Sequence, residues 1–556
     1  MGRPPLHRRR TPVARLNTLK AVVEELDARR SFLVEAGAGA GKTTDLVHAL
    51  QYLLSHRRSE LEANGRRIAC ITYTNVAKKK ILERISADPL VAVGTIHEFL
   101  WSVIQAYPRE LWQQILDYNE NLSKPEDLTE VAAPPVIEYS DRGRKLSEGR
   151  ISHDDVIALS LRLVATHPKL IRIITSKYPV IFVDEYQDTS PKTIDLLLNH
   201  LAGAGKEPCV IGLFGDSMQK IYRSGVGAVR HDKLTPITKI ENYRCSRPVV
   251  DVLNKMRPEL RQQASGRQQE GEVHLFLNTD VPPGPRRLDA AKATLASRDW
   301  TLENSKYLLL THRGIAGTLE YANLLEQYRQ LGSHGPDDLM ARNEPYIQYL
   351  TQIEALCAAY QARDFVELTN LLAQGKRRIT QHTDKRTISE AIRELDTVRA
   401  AGTIGDVLDL MADSPLLAVP GRVKERERRR TAADLDERHK RQADFSNNIR
   451  GVSYREVISV TQFIDELTPF STQHGVKGDE FENVIVVIDD SVWTMYNIGK
   501  MLAGTDKPER TERSRNLFYV CCSRARRGLA VVFINDLPDG AEATARDWFA
   551  SGTVHP

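Results

Sequence analysis

Residues 31–54, SFLVEAGAGAGKTTDLVHALQYLL, contain the pattern that decides the fold of this chain. The stretch predicts a strand, a glycine-rich turn and then a helix. Gly37, Gly39 and Gly41 would let backbone N–H groups point at phosphate oxygens, and the N-terminus of the helix favours negative charge. We interpret the stretch as a phosphate-binding loop. A glycine-rich turn that holds no nucleotide is the alternative.

The residues that close this loop suit a nucleoside triphosphate and Mg²⁺. Lys42 would reach the β- and γ-phosphates, Thr43 would offer its hydroxyl to Mg²⁺, and Thr44 is assigned to the same site. The usual form of such a loop begins with glycine, whereas Ala36 stands there in this chain.

A cluster of acids follows an apolar run in IFVDEYQDTS, residues 181–190. A P-loop enzyme needs an acid at a neighbouring strand end to hold Mg²⁺, and Asp184 fits that role. Glu185 is placed to orient and deprotonate the attacking water. A cluster of helix-capping acids is the alternative interpretation.

Further strands alternate with helices, which predicts an α/β fold with a parallel sheet and crossover helices. Strands are expected in RRIACITYTNVAKKKILERI (66–85) and CVIGLFGDSMQKIY (209–222), and VAVGTIHEFLWSVI (91–104) predicts a strand followed by a loop. A second series at 305–316, 483–490 and 529–536 predicts a second α/β domain. Within this second series, residues 318–452 have a helical pattern.

Composition narrows the class of protein. The 556 residues are 27% charged and 41% hydrophobic, with a net charge of +4, which is the balance of a globular protein and only mildly basic. The sequence shows no apolar run of the length that a bilayer requires, no secretory signal and no cysteine spacing that suits zinc, so we expect a cytoplasmic protein without a membrane partner. Residues 1–14 are interpreted as a flexible basic arm, with a phosphate-contacting arm as the alternative.

Seven short stretches occur in the order that one family shows. They are ITYTN (71–75), VGTIHEF (93–99), VDEYQD (183–188), GDSMQKIY (215–222), ENYRCSRP (241–248), STQHGVKGDEF (471–481) and RNLFYVCCSRA (515–525). Together with the phosphate loop, they make the chain resemble the UvrD/Rep/PcrA-like superfamily 1A DNA helicases.

The resemblance implies a domain organisation and a mode of action. It implies two RecA-like P-loop domains with mostly helical insertions: domain 1A at 15–97 and 150–240, a short insertion 1B at 98–149, domain 2A at 241–317 and 453–556, and a reduced insertion 2B at 318–452. It also implies ATP as the nucleotide and movement along single-stranded DNA in the 3′-to-5′ direction.

The resemblance also assigns roles at the nucleotide. Gln219 matches the glutamine that senses the γ-phosphate, and Tyr243 matches the tyrosine that stacks on adenine. Arg244 and Arg524 match two arginines that reach the γ-phosphate from the second domain, which agrees with the bidentate geometry of guanidinium and phosphate. Glu480 matches a ribose contact. A surface salt bridge is the alternative role for each arginine.

Several positions match residues that contact the DNA strand in the family, and small donors of this kind suit backbone phosphates. They are Thr72, Thr74, Asn75, Thr95, His97, Thr472 and His474. Tyr73 and Phe99 are candidates for base stacking, and core packing is the alternative for both.

Two positions depart from the family pattern. A tryptophan that stacks on a base is usual two residues after the position of Tyr222, but Ser224 stands there, which predicts weaker strand separation. Lys20 stands where an adenine-reading glutamine is expected, which predicts relaxed base specificity.

Several functions remain open from the sequence. A DNA translocase or helicase is the first, whether in DNA repair and recombination or in anti-phage defence, where the chain is similar to the helicase subunits of Gabija systems that work with an OLD-type nuclease. A DNA-end or single-strand sensor that regulates a partner nuclease is the second. A P-loop scaffold without activity is the third.

Overall fold

The structure is a computed structural model of the full chain. It describes residues 13–128, 131, 136–140, 143–205, 207–220, 224–266, 270–277, 279–301, 303–309, 312–332, 334–374, 381–432, 436–465, 470–472, 479–491 and 495–556. Of the predicted basic arm, residues 1–12 lie outside this set, and the first helix begins at Val13.

The strands of the described residues are short, and most belong to two sheets. In chain order they are β1 (Ser31–Ala36), β2 (Ile68–Thr72), β3 (Val91–Thr95), β4 (Glu138–Tyr139), β5 (Arg150–Ile151), β6 (Val180–Asp184), β7 (Val210–Gly215), β8 (Leu234–Lys239), β9 (Glu241–Asn242), β10 (Gln263–Ala264), β11 (Glu272–Phe276), β12 (Ser305–Leu309), β13 (Phe470–Thr472), β14 (Phe481–Ile488), β15 (Ala525–Phe533) and β16 (Thr553–His555).

The α-helices flank the sheets and fill the long segment between β12 and β13. They are α1 (Val13–Asp27), α2 (Lys42–Ala63), α3 (Asn75–Arg84), α4 (Ile96–Ile104), α5 (Pro108–Asn119), α6 (His153–Thr166), α7 (Pro168–Lys177), α8 (Pro191–Asp195), α9 (Arg247–Met256), α10 (Pro285–Ala296), α11 (His312–Thr318), α12 (Ala322–Gln330), α13 (Gly335–Met340), α14 (Pro345–Gln361), α15 (Phe365–Gln374), α16 (His382–Ala401), α17 (Ile404–Ala412), α18 (Gly421–Arg430), α19 (Glu437–Arg450), α20 (Tyr454–Ile464), α21 (Ile498–Ala503), α22 (Pro508–Cys522) and α23 (Ala541–Trp548). Single 3₁₀ turns lie at Leu146–Glu148, Tyr186–Asp188 and Ser217–Gln219, and α8 continues into a π-helical turn at Leu196–Leu201.

Two six-stranded sheets organise the molecule, and every strand pairing in them is parallel. The first, which we call lobe 1 with its helices, has the order β3-β2-β6-β7-β1-β8. The second, lobe 2, has the order β13-β12-β14-β15-β11-β16. The prediction of an α/β fold with two parallel sheets and flanking helices is therefore confirmed.

Both faces of each sheet are covered, which explains why the central strands are mostly apolar. In β1, Phe32 and Val34 pack with α1 and α2, whereas Leu33 faces the opposite core with α4 to α7. In lobe 2, Val484 and Val486 of β14 face one core and Ile485 and Val487 the other. This alternation follows from the two-residue period of a strand.

The helical segments share cores with the sheets that they interrupt. Leu111, Trp112 and Ile115 of α5 pack in the same core as residues of β2 and β6. The helices α12 to α20 pack around a core that continues onto β14 and β15. Among the described helices, none is both long enough and apolar enough to cross a membrane.

One local prediction was wrong. The segment after β3 was expected to be a loop, but α4 begins at Ile96. Thr95 caps this helix: its hydroxyl accepts a hydrogen bond from Glu98 N, and the Glu98 carboxylate accepts one from Thr95 N. This reciprocal pair is a capping box, and the residues T-I-H-E carried that signal.

Two neighbouring imidazoles in lobe 2 predict a loss of stability in acid. His274 Nδ1 and His555 Nε2 are 3.2 Å apart, and His555 stacks on Phe276. Burial lowers the pKa of both groups, and Arg298 lowers both further, while Glu272 opposes the shift at His274. Because the unfolded chain binds these protons more readily, their contribution is complete above pH of about 6.5 and is lost as pH falls below it.

We therefore expect the free energy of unfolding to fall less between pH 7.5 and 5.5 in His555→Phe than in the unmodified chain. Phenylalanine keeps a ring against Phe276 and removes one titrating group. Urea unfolding at the two pH values measures the difference, with the exposed His167→Phe as control. Equal pH dependence in all three proteins would contradict this prediction.

Candidate active site

The phosphate loop connects β1 to α2 at the carboxyl edge of lobe 1. Gly39 and Gly41 both have positive φ, 71° and 80°, which glycine adopts without steric cost. The Lys42 side chain is buried, and its Nζ lies 3.5 Å from Ala36 O at the end of β1. The loop is thus folded around the positions where phosphate oxygens would lie.

The predicted acids follow β6, beside this loop. Asp184 is buried, and its Oδ2 accepts a hydrogen bond of 3.3 Å from the Thr43 hydroxyl. Burial and the neighbouring Glu185 raise the pKa of Asp184, while Lys42 and Thr43 act in the opposite direction. A carboxylate and a hydroxyl in contact are oxygen donors of the kind that Mg²⁺ prefers, so Asp184 and Thr43 fit a bound magnesium ion.

Glu185 has an unusual backbone conformation. Its φ is 53°, in the left-handed region that costs a residue with a Cβ roughly 1–2 kcal/mol. Its Oε2 accepts a hydrogen bond from Gln187 Nε2. Gln187 Oε1 in turn accepts one from Asp216 N at 3.1 Å. The Glu185 carboxylate is therefore oriented by a contact that continues to the end of β7.

Gln219 lies at the junction of the two lobes. Its Nε2 donates to Asp216 Oδ2 at 2.9 Å, and its Oε1 accepts from Arg524 Nη2 at 3.3 Å. Asp216 and Gln219 belong to lobe 1, whereas Arg524 follows α22 in lobe 2. The structure thus brings the predicted sensor and one predicted arginine into direct contact.

Arg524 is almost wholly buried, at 1% exposure, and its guanidinium is held by several oxygens of its own lobe. Its Nε donates to Val520 O at 2.9 Å, and its Nη2 donates to Ser523 Oγ at 3.0 Å. Burial and Arg244 lower its pKa to about 10, while Glu185 opposes the shift. It is charged at neutral pH, and it would stabilise negative charge strongly because little water surrounds it.

Arg244 and Glu480, both predicted at the nucleotide, are paired with each other. Arg244 Nε donates to Glu480 Oε2 at 2.9 Å, and its Nη1 donates to Ser523 O at 3.2 Å. Tyr243 lies against the loop, because its N donates to Gly39 O at 2.9 Å. The Thr44 hydroxyl accepts a hydrogen bond of 3.4 Å from Arg84.

The phosphate loop is also held by residues of lobe 2 to which the sequence patterns assigned no role. Asn242 Nδ2 and Gln262 Nε2 both donate to Ala38 O, at 2.9 and 3.0 Å. Ala38 N donates to Tyr519 OH at 3.0 Å. No motif signals Gln262, whose contact depends on a fold that brings residues 224 positions apart together.

Close approach of lobe 2 makes Gly39 a sensitive position. A Cβ there would lie 2.6 Å from Asn242 Oδ1 and 2.7 Å from Arg244 Cβ. We expect Gly39→Ala to lower nucleotide affinity at least about 10-fold, because it adds a clash to a strained φ. Gly65→Ala is the matched control, since Gly65 also has positive φ but nothing within 4 Å. Titration with a fluorescent ATP analogue measures the nucleotide affinity of both variants. Equal losses of affinity would show that backbone strain alone, and not the clash with lobe 2, is responsible.

The predicted DNA contacts of lobe 1 lie at the carboxyl edge of its sheet, at the ends of β2 and β3. The Thr74 and Thr95 hydroxyls cap α3 and α4, and Asn75 is the first residue of α3. The Thr72 side chain is buried and donates to Thr74 O at 3.2 Å. Thr472 ends the edge strand β13 of lobe 2, and His474 lies outside the described residues.

The aromatic candidates differ in exposure. Phe99 is buried and packs edge-on against Tyr178, which favours the core interpretation, whereas Tyr73 is 43% exposed. His97 is half-buried and stacks on His153 with ring centroids 4.6 Å apart. Of the residues that depart from the family, Ser224 is exposed, and Lys20 is exposed beside Glu24.

Comparison with known proteins agrees with this geometry. A family model described as an AAA domain matches residues 18–225. The Gabija protein GajB of Bacillus cereus (strain HuB5-5) is 24% identical, over 97% of this chain and 98% of that protein. The ATP-dependent DNA helicase PcrA of Bacillus subtilis (strain 168) is 26% identical, over 40% of this chain and 37% of that protein. The corresponding PcrA of Staphylococcus aureus (strain Mu50 / ATCC 700699) is 25% identical over 40% and 37%.

The phosphate loop, the acids after β6, Gln219 and Arg524 lie where the two parallel-sheet lobes contact each other. The comparisons support a UvrD-like DNA helicase that hydrolyses ATP.

Proposed function

We propose that this chain is a motor that couples hydrolysis of Mg²⁺-bound ATP to movement along single-stranded DNA, in the 3′-to-5′ direction. The single observation that carries the proposal is the contact between Gln219 of lobe 1 and Arg524 of lobe 2, beside Glu185 and the phosphate loop. Because residues of both lobes form the site, the presence or absence of the γ-phosphate would change the distance between the two lobes.

The residues divide the chemistry among them. Lys42 and the loop amides would bind phosphates, Thr43 and Asp184 would hold Mg²⁺, and Glu185 would take the proton of the attacking water. Mg²⁺, when bound, neutralises part of the phosphate charge. Arg244 and Arg524 would stabilise charge that develops on the γ-phosphate, which is the larger contribution in reactions of this kind.

Attraction of two arginines to the γ-phosphate favours a closed cleft, and loss of that phosphate removes the attraction. DNA held by Thr72, Thr74, Asn75, Thr95 and His97 on lobe 1, and by Thr472 on lobe 2 together with His474, would then be bound by each lobe in alternation. The division into domains 1A, 1B, 2A and 2B that the resemblance implies is part of this proposal. Helix α20 (Tyr454–Ile464) lies in the range assigned to 2A, but it packs with α14 and α16 of the range assigned to 2B.

The relative that matches the whole chain suggests a biological setting. Since GajB aligns over 97% of this chain and PcrA over 40%, we place the chain in a Gabija-type anti-phage system in the cytoplasm. An OLD-type nuclease is the partner that this placement proposes. In this proposal the nuclease partner, and not this chain, cuts DNA.

A second candidate function is a DNA-end or single-strand sensor that regulates the nuclease and unwinds little DNA itself. The exposed Ser224 favours it, because a stacking tryptophan at that position would support strand separation.

One set of experiments tests both candidates. ATP turnover is measured with single-stranded circles, blunt duplex, duplex with single-stranded ends and no DNA, and unwinding is measured on the same substrates. Stimulation by single strands together with unwinding supports the motor; stimulation by ends without unwinding supports the sensor. No turnover with any DNA, with or without a candidate nuclease partner, would refute the proposed activity.

A further inference from the structure

A buried arginine outside every recognised motif joins the two lobes next to the γ-phosphate sensor. Arg257 caps the C-terminus of α9, a helix that packs on β11 and β15 and therefore belongs to lobe 2. Its side chain is 2% exposed. The guanidinium leaves its own lobe and enters the carboxyl edge of the sheet in lobe 1.

Two carboxylates of lobe 1 receive it. Arg257 Nη1 donates to Asp216 Oδ1 at 2.6 Å, and Arg257 Nη2 donates to Glu35 Oε1 at 2.5 Å. Asp216 follows β7, and Glu35 lies in β1 immediately before the phosphate loop. One charged group therefore contacts β1, which leads into the phosphate loop, and Asp216, which precedes Gln219 by three residues.

The remaining oxygens of these carboxylates connect Arg257 to the site. Asp216 Oδ2 accepts from Gln219 Nε2 at 2.9 Å and from Tyr519 OH at 3.4 Å. Glu35 Oε2 accepts from the hydroxyl of Tyr186, the residue after Glu185. Gln219 also accepts from Arg524, so the chain Arg257–Asp216–Gln219–Arg524 starts and ends in lobe 2 and passes through the sensor of lobe 1.

Charge explains why arginine suits this position. Asp216 is fully buried and Glu35 largely so, and two carboxylates without a cation between them would be strongly unfavourable. A guanidinium presents several donors in one plane and can bind both, which an ammonium group does less well.

We propose that Arg257 is a positioning residue that holds Asp216, and through it Gln219, in register with Arg524, so that the site distinguishes a nucleoside triphosphate from a diphosphate. The inference rests on the proposed ATP site. Arg257 does not contact the nucleotide itself, and its effect is transmitted by the two carboxylates.

The test compares affinities, so it does not depend on turnover. In Arg257→Gln we expect ADP affinity within about 2-fold of the unmodified chain, affinity for a non-hydrolysable ATP analogue reduced about 10-fold, and kcat reduced at least about 10-fold. Lys255→Gln is the matched control, because Lys255 lies on the same helix but pairs with Asp547 on the exposed surface of lobe 2.

A second variant distinguishes the positioning role of Arg257 from a contribution of Arg257 to folding stability. Arg257→Gln leaves two buried acids without their cation and should lower the unfolding midpoint in urea. Adding Glu35→Gln removes one of those charges and should restore much of the midpoint, but not the discrimination between triphosphate and diphosphate. If Arg257→Gln fails to fold, Arg257→Lys keeps a cation and is expected to bind ADP normally and the analogue several-fold more weakly.

Two results would overturn the proposal. One is an unchanged ratio of analogue to ADP affinity in folded Arg257→Gln; the other is recovery of that ratio together with stability in the double variant. Failure of the unmodified chain to bind either nucleotide would instead refute the proposed ATP site.

Discussion

Replacing Glu185 with glutamine is expected to reduce ATP turnover at least about 100-fold, the usual contribution of a general base, while nucleotide and DNA affinity stay within about 3-fold. Glutamine keeps the length of the side chain and its hydrogen bond to Gln187 but cannot accept the proton of water. Steady-state turnover with single-stranded DNA and titration with an ATP analogue measure the two effects. The exposed Glu303→Gln serves as a control for loss of one negative charge.

The backbone at Glu185 adds a second expectation. Because its φ is 53°, glycine should relieve strain of roughly 1 kcal/mol, and it also removes a carboxylate beside buried Asp184. Glu185→Gly should therefore unfold at a higher urea concentration and hydrolyse ATP no faster than Glu185→Gln. A glycine variant that is active would show that the carboxylate is not the base.

Much of the fold could be predicted from sequence because buried parallel strands are apolar runs that end in polar residues. Val180–Asp184 and Val210–Gly215 are of this kind, and each is buried along its whole length. Edge strands gave a weaker signal. β8 contains Pro236 and is partly exposed, and β16 has three residues, so neither had the pattern of a buried strand.

The residues of the candidate site also form two groups: those that a short sequence pattern indicates and those that it does not. Gly37, Lys42, Asp184 and the later motif residues could be predicted because their chemistry depends on short local patterns. Gln262 and Arg257 could not, because no short pattern marks them and their roles depend on contacts between the lobes, such as Gln262 with Ala38 and Arg257 with Glu35. Glu35 gave a usable signal, since an acid inside the apolar run FLVEA needs a partner that the run itself does not supply.

Replacing Arg524 is expected to have the other large effect. An arginine that stabilises a transferring phosphoryl group contributes about 10³-fold or more to kcat, so Arg524→Met should lose about that much. The loss should fall mainly on kcat, because the loop and Lys42 still bind the other phosphates. Methionine fills similar volume and leaves Gln219 bonded to Asp216.

Replacing Arg524 with lysine would show whether the reaction needs only a positive charge at this position or also the shape of the guanidinium. Burial and Arg244 already lower the pKa of the arginine to about 10, and the same surroundings would lower the pKa of a lysine further towards neutrality. Because only the protonated amine is a cation, the residual kcat of Arg524→Lys should fall as pH rises from 6.5 to 8.5. The unmodified chain keeps its charge at position 524 over that range.

We would measure kcat of Arg524→Lys and of the unmodified chain across this pH range and take their ratio. Other titrating groups affect both proteins, so the ratio reports the contribution of position 524. Arg526→Lys is the control, because Arg526 is an exposed arginine two residues away on β15. A ratio that does not change with pH, combined with full activity in Arg524→Met, would show that the buried arginine of lobe 2 supports the fold rather than the reaction. A falling ratio, combined with a loss of about 10³-fold in the methionine variant, is the result that a charge acting on the γ-phosphate across the cleft requires.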